Sequence, residues 1–401
     1  MNTSLSFHPT IAGYLNSQLN IDIWDSIQEL YDTGDYAKTV RECIRYIHPG
    51  IEEKYANAER THYKIPHGSI IVDIRISDTE FEITAPFLNI GNAKRIPLLR
   101  QVAQINVTPL TLSRIELKDD QLYFHYQCPL DLCEPYKIYN IIREICINAD
   151  NYDDEFISKF GASRIQEPHI EPYPTDVQET VWNTVQLYIR EAFEAYDILE
   201  SKRKTTYLWD ILAITLLKID YYCAPQGNLR SEIEKTFNVL NGKDDYYQRL
   251  SAAREFLKKL QSMDKQQFIS NLYKIEVFVP YKFKASLESL RNGLQYAYDT
   301  STKEIKGQDY LGALLTMQYG ILNFLYSNNL EDIHADIITK AMEKTSSQPV
   351  AGAARHLYER LEYLIKSDKL QKKEQAEIAA QEKNAELPKK KKGFFRRIFG
   401  F

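Results

Sequence analysis

The hydrophobic period changes once along this chain, at a proline-rich stretch from Gln166 to Pro174 that contains Pro168, Pro172 and Pro174. Before it, Ile70, Val72, Ile74 and Ile76 alternate with Ile71, Asp73 and Arg75, the period of two that lays one strand face on a core. After it, from Asp176 to Ile365, the apolar spacing is helical almost throughout. One element cannot satisfy both periods, because a shift between them moves side chains off the buried face. The spacing therefore predicts two folded units: an α+β domain over residues 1–165 and an all-α helical-hairpin domain over 176–366, joined by a stiff linker at 166–175. A length of 401 residues is more than one compact domain usually holds.

Within the first unit the residues around Trp24–Ile47 read as two helices broken at Asp32-Thr33-Gly34, and Tyr31–Ala37 resembles the turn of a tetratricopeptide repeat. Strands are predicted at Ile70–Ile76, around Phe81 and Ile83, after Pro86, at Leu112–Leu117 and at Leu122–Cys128. His62 and His67 are expected to flank a loop entering the first strand. Short and long helices are expected at Leu98–Ile105 and Glu134–Ala149, with another near Asp153–Phe160.

This order, and the residues Leu98, Leu99, Asn106, Asp119, Asp120, Pro129, Leu130, Ala149 and Asp150 within 98–161, resemble the second half of the type III secretion chaperone-like domain, including its YbjN-type members. The resemblance spans roughly residues 22–165. It implies a non-enzymatic binding scaffold or dimer that engages other proteins, with a homodimer through this domain as one arrangement. The helical second half has no counterpart in small members of that family, so a secretion-chaperone role is not implied.

In the second unit Leu208–Ile219 (LWDILAITLLKI) is apolar on nearly all sides, too short to span a bilayer, and predicted to be the central buried helix. Gly34-Asp35-Tyr36, the run Gly242 to Tyr246 and the run Gly307 to Tyr310 are loose echoes of one turn, as expected of packed helical hairpins. Residues 367–388, rich in Lys, Glu, Gln and Ala, read as a charged spacer.

The chain then ends on KKKKGFFRRIFGF. Taken as a helix, Phe394, Phe395, Ile398 and Phe399 form one apolar stripe, Arg396 and Arg397 lie opposite, and Phe401 extends the stripe. Lys389, Lys390, Lys391 and Lys392 precede it. The formal charge is −5, and removing the six cations of this tail leaves the remainder at −11. A basic, greasy end on an acidic body is the pattern of a segment that lies on an anionic membrane surface. A docking motif read by a protein groove is the alternative. The acidic body argues against nucleic acid as a partner.

No phosphate-cradling glycine loop, nucleophile elbow or His-Glu-x-x-His motif is present. Cys128 and Cys133, with His125 and Cys146 nearby, are too few and too scattered over strand faces for a tetrahedral zinc site, and are expected as core thiols. Asp150, Asp153, Asp154 and Glu155 could hold a cation or a general base, but are expected to join two helices, with Asp153 as a cap. No signal-peptide pattern opens the chain, and five irregularly spaced cysteines fit reduced thiols in the cytoplasm. The expected function is a non-enzymatic adaptor, without cofactor or metal, that binds a protein partner and sits peripherally on the cytoplasmic membrane face. An enzyme with an unrecognised site between the two domains is the third reading.

Overall fold

The computed structural model describes residues 4–15, 19–20, 23–168 and 170–370. Its first part is an antiparallel sheet with helices on one face. α1 (Trp24–Asp32) and α2 (Tyr36–Ile47) form a hairpin about Gly34, whose φ of +87° is the left-handed turn that favours glycine. A short α3 (Ile51–Tyr55) leads to β1 (His62–His67), β2 (Ile70–Ile76) and β3 (Glu80–Asn89). The stretch between His62 and His67, expected as a loop, is thus the first strand. Its alternation is masked by Pro66, which sits near the strand's end, where a proline is tolerated. The separate strand expected after Pro86 is the continuation of β3 past a bulge between Pro86 and Leu88.

α4 (Arg95–Ile105) carries Pro97 in its first turn, where no helical N–H is lost, and precedes β4 (Arg114–Lys118) and β5 (Gln121–Pro129). The strand order is β1-β2-β3-β5-β4. α5 (Pro135–Phe160) then crosses the sheet as one unbroken helix. Two helices were expected over this stretch. No Gly or Pro interrupts it until Gly161, at φ +72°, and Ala149, Asp153 and Phe156 carry the buried face straight through the acidic run. The sheet core gathers Ile74, Phe81, Ile83, Phe124, Ile142 and Phe156. β6 (Ser163–Arg164) adds to the end of β3.

The proline-rich stretch is partly paired: β7 (Ile170–Pro172) meets β8 (Tyr273–Ile275) antiparallel, and Tyr173 is buried. Helices follow at α6 (Thr175–Ser201), α7 (Leu208–Cys223), α8 (Gly227–Leu240), α9 (Tyr246–Gln261) and α10 (Lys265–Ile269). After β9 (Phe283–Ala285) come α11 (Leu287–Lys306), α12 (Tyr310–Ser327), β10 (Asn328–Leu330), α13 (Asp332–Thr345) and α14 (Val350–Lys366). α7 is buried along nearly its whole length and packs on α6, α8, α9 and α12, as its all-round apolar sequence requires. The Gly-Asp-Tyr echoes mark hairpins, since α1 packs on α2, α8 on α9 and α11 on α12. In the last two Asp245 and Asp309 cap the second helix, Asp245 accepting from Tyr247 N and Gln248 N and Asp309 from Gly312 N.

Each part also lends a segment to the other. Leu5 and Phe7 are buried in the helical core, where Phe7 stacks on Tyr221 at 5.5 Å. Ser6 N donates to Glu191 at 2.8 Å, Lys218 Nζ donates to the Ser6 carbonyl at 2.9 Å, and His8 N donates to the Tyr188 hydroxyl at 2.9 Å. Conversely, Phe278 and Val279 of the helical part are buried in the sheet core. No helix among the described residues is long and apolar enough to cross a membrane.

Candidate functional site

The acidic run of α5 faces the helical part and is bonded across the junction. Asp150 Oδ1 accepts from the backbone and hydroxyl of Ser69 at 2.6 and 3.0 Å, and its Oδ2 accepts from the Tyr281 hydroxyl at 2.6 Å. Arg230, at the start of α8, lies 3.5 Å from the same oxygen and stacks on the Tyr281 ring at 4.0 Å. Asp153 and Asp154 both accept from Arg164, and Glu155 pairs with Lys159 and Lys235. The expected helix-to-helix junction is therefore a row of ion pairs within one helix, with Asp153 buried mid-helix rather than capping. His67 closes the seam. Its Nδ1 accepts from Phe278 N at 3.2 Å, so the proton sits on Nε2, which has no partner. Burial pushes its pKa down to about 4.

Beside this seam opens a cleft of about 580 Å³ between α5, the end of α7, the start of α8, the 281–283 segment, β10 and α13, with Pro9–Gly13 along one rim. Arg143 and Asn151 reach it from the sheet part. Asp220, Arg230, Lys282 and Asn329 reach it from the helical part. The Arg143 guanidinium lies over the Phe283 ring at 4.8 Å, while its Nε is buried without a hydrogen-bond partner. Lys282 Nζ donates to the Leu325 carbonyl at 2.8 Å, and burial lowers its pKa while the Asp220 charge opposes that shift.

Carboxylates line this cleft, and no histidine among the described residues does. Among the described residues no group of three or more His, Cys, Asp or Glu is placed to hold a metal ion. Cys128 and Cys133 are buried free thiols, their sulfurs in hydrogen-bond contact at 3.6 Å. His125 points to the opposite sheet face and lies between Glu82 and Glu116.

That opposite face forms a second candidate surface. One chain of contacts crosses all five strands: His62 to Asp73 at 3.0 Å, Arg75 to Asp73 at 3.1 Å, Arg75 to Glu82 at 3.9 Å, His125 to Glu82 at 3.4 Å and His125 to Glu116 at 3.1 Å. A shallow groove of about 400 Å³ lies beside it, between Tyr55, Lys64, Ile71 and Pro86.

The terminal residues singled out from sequence, Lys389 to Lys392 and Phe394 to Phe401, lie outside the described residues. Sequence reasoning missed Arg143, Asp220, Arg230 and Lys282. The available signal was local: Arg143 interrupts an apolar run (Ile141, Ile142, Ile145), and Asp220 follows the apolar stretch of α7. No protein-family model matches the chain, and no curated protein matches its sequence.

Proposed function

We propose that this protein is a non-enzymatic adaptor. Its first domain, of the type III secretion chaperone-like or YbjN-like kind, binds a protein partner, and its C-terminal tail attaches the molecule to an anionic membrane surface. The observation that carries the partner-binding half is the uncovered face of the sheet. α5 packs on one side only, and the other presents a five-strand row in which Asp73, Glu82 and Glu116 alternate with Arg75 and the imidazoles of His62 and His125. Arg75 is largely exposed, and ion pairs at such a surface contribute only about 0–1 kcal/mol each, so the row does little for stability. It fixes a pattern of charge that a complementary protein surface can read. The outer strand β4 carries Arg114, Glu116 and Lys118, a charged edge that discourages strand-to-strand growth and leaves the face as the surface for a partner or a second copy.

The element order of the first part, with a helical hairpin and the short α3, three strands, a short helix, a hairpin and a long helix, supports the chaperone-like reading. The tail reading rests on its sequence: each Lys or Arg near an anionic surface contributes about 1 kcal/mol, and its phenylalanines supply apolar anchorage. Reversing Arg75→Glu together with Glu82→Lys tests the face. Proteins crosslinked by the wild-type chain in cells are expected to be lost from the double variant while its melting temperature stays unchanged. Retention of the same crosslinks by a folded double variant would overturn the assignment of that face.

A further inference from the structure

The inter-domain cleft holds charges of both signs that the fold does not pair. Arg143 makes no ion pair, and the Asp220 carboxylate makes neither a hydrogen bond nor an ion pair among the described residues. Nδ2 of Asn329 is buried in the wall without an acceptor. Asp220 is near enough to act electrostatically on both Arg230 and Lys282, yet it lies beyond ion-pair distance of either. Opposite charges kept apart in a partly enclosed space are left for something to bridge.

We propose that this cleft binds a small zwitterion, a free amino acid or short peptide, whose carboxylate is taken by Arg143 and Lys282 and whose ammonium is taken by Asp220. The balance of the lining selects this class. Three cations (Arg143, Arg230, Lys282) face four carboxylates (Asp220, Glu234, Asp332, Asp336), the last of them tied to Lys340. A nucleotide polyphosphate would meet the carboxylates, and a polyamine would meet the cations. A group carrying one of each satisfies both walls. Asn329 Nδ2 adds a donor for the carboxylate, and Phe283, Leu330 and Tyr326 give apolar surface for a side chain. The volume of about 580 Å³ falls within the range of small-molecule sites, roughly 300–1,000 Å³. A carboxylate beside Lys282 would also compensate its burial. The inference does not depend on the adaptor reading, because the cleft and the outer sheet face share none of these residues.

The test is titration calorimetry of the full chain with the standard amino acids and a set of dipeptides, ATP and spermidine serving as contrasts. At least one zwitterion is expected to bind saturably at millimolar concentration or below. Its N-acetyl and C-amide analogues are each expected to bind at least about tenfold more weakly. Asp220→Asn should remove the penalty for N-acetylation and leave that for amidation, and Arg143→Gln should do the reverse. Neither substitution breaks a native ion pair, and circular dichroism confirms that each variant folds. Absence of heat from every zwitterion, tighter binding of ATP or spermidine, or loss of both penalties together in either variant would overturn the proposal.

Discussion

Asp150 accepts from Ser69, Tyr281 and Arg230 at once, and Gly68 makes room for it: a Cβ at Gly68, where φ is +58°, would sit 1.9 Å from Asp150 Oδ1. Removing one partner of a buried charged set leaves the others uncompensated, at about 3–5 kcal/mol. Asp150→Ala is therefore expected to lower stability by that order in urea unfolding, and Gly68→Ala to weaken the same contacts by forcing the carboxylate away. Asp210 gives a pH signature. Burial first, and then the charge of Glu304, push its carboxyl up to about 7. Between pH 4 and 7 the folded state holds a proton that the unfolded chain has released, so stability falls as pH rises through that window. Asp210→Asn is expected to be more stable than the parent at pH 8, by about 1–3 kcal/mol after solvent screening, with the difference vanishing near pH 4. Melting curves at the two pH values check this, and a gap that is the same at both would contradict it.

At the scale of elements, the strands legible in sequence are those with one buried face. β2 and β5 alternate because Ile74 and Phe124 are buried in the core while Asp73 and His125 are half-buried on the opposite face. β1 escaped because Pro66 reads as a strand breaker and His62 and His67 as loop residues. Four acidic residues over six positions resemble a cap, which suggests two helices where there is one; in the fold Arg164 of the sheet part takes up the charge of Asp153 and Asp154, and Arg230 and Lys235 of the helical part take up that of Asp150 and Glu155. The N-terminal strap was illegible for a similar reason. Nothing in Leu5-Ser6-Phe7 foretells a partner hundreds of residues away, yet Phe7 N donates to Ser346 Oγ at 2.9 Å and its ring is buried. Phe7→Ala is expected to cost about 3–5 kcal/mol. The loss should appear as earlier hydrogen exchange in α7 and α13, with the sheet amides little changed; equal loss in the sheet would show that the strap does not act on the helical part alone.

For the whole molecule, the division into a sheet-bearing part and a helical part followed from periodicity alone, because period depends only on local geometry and on which face is buried. The cleft did not follow, since Arg143, Asp220, Arg230 and Lys282 are brought together by the docking of two cores and each by itself reads as an ordinary charged residue. The same limit applies to the outer sheet face, where a row of contacts needs the strand register to exist at all. The tail is the opposite case: its basic and aromatic residues are adjacent in sequence, so its reading needs no tertiary structure. The most direct measurement on the adaptor account is therefore co-sedimentation of the full chain and of residues 1–388 with vesicles, phosphatidylserine-containing or neutral, at low and at high salt. The account predicts that only the full chain sediments, only with the anionic vesicles, and less at high salt. Sedimentation that survives removal of residues 389–401, or a full chain that stays in the supernatant with anionic vesicles at low salt, would contradict it.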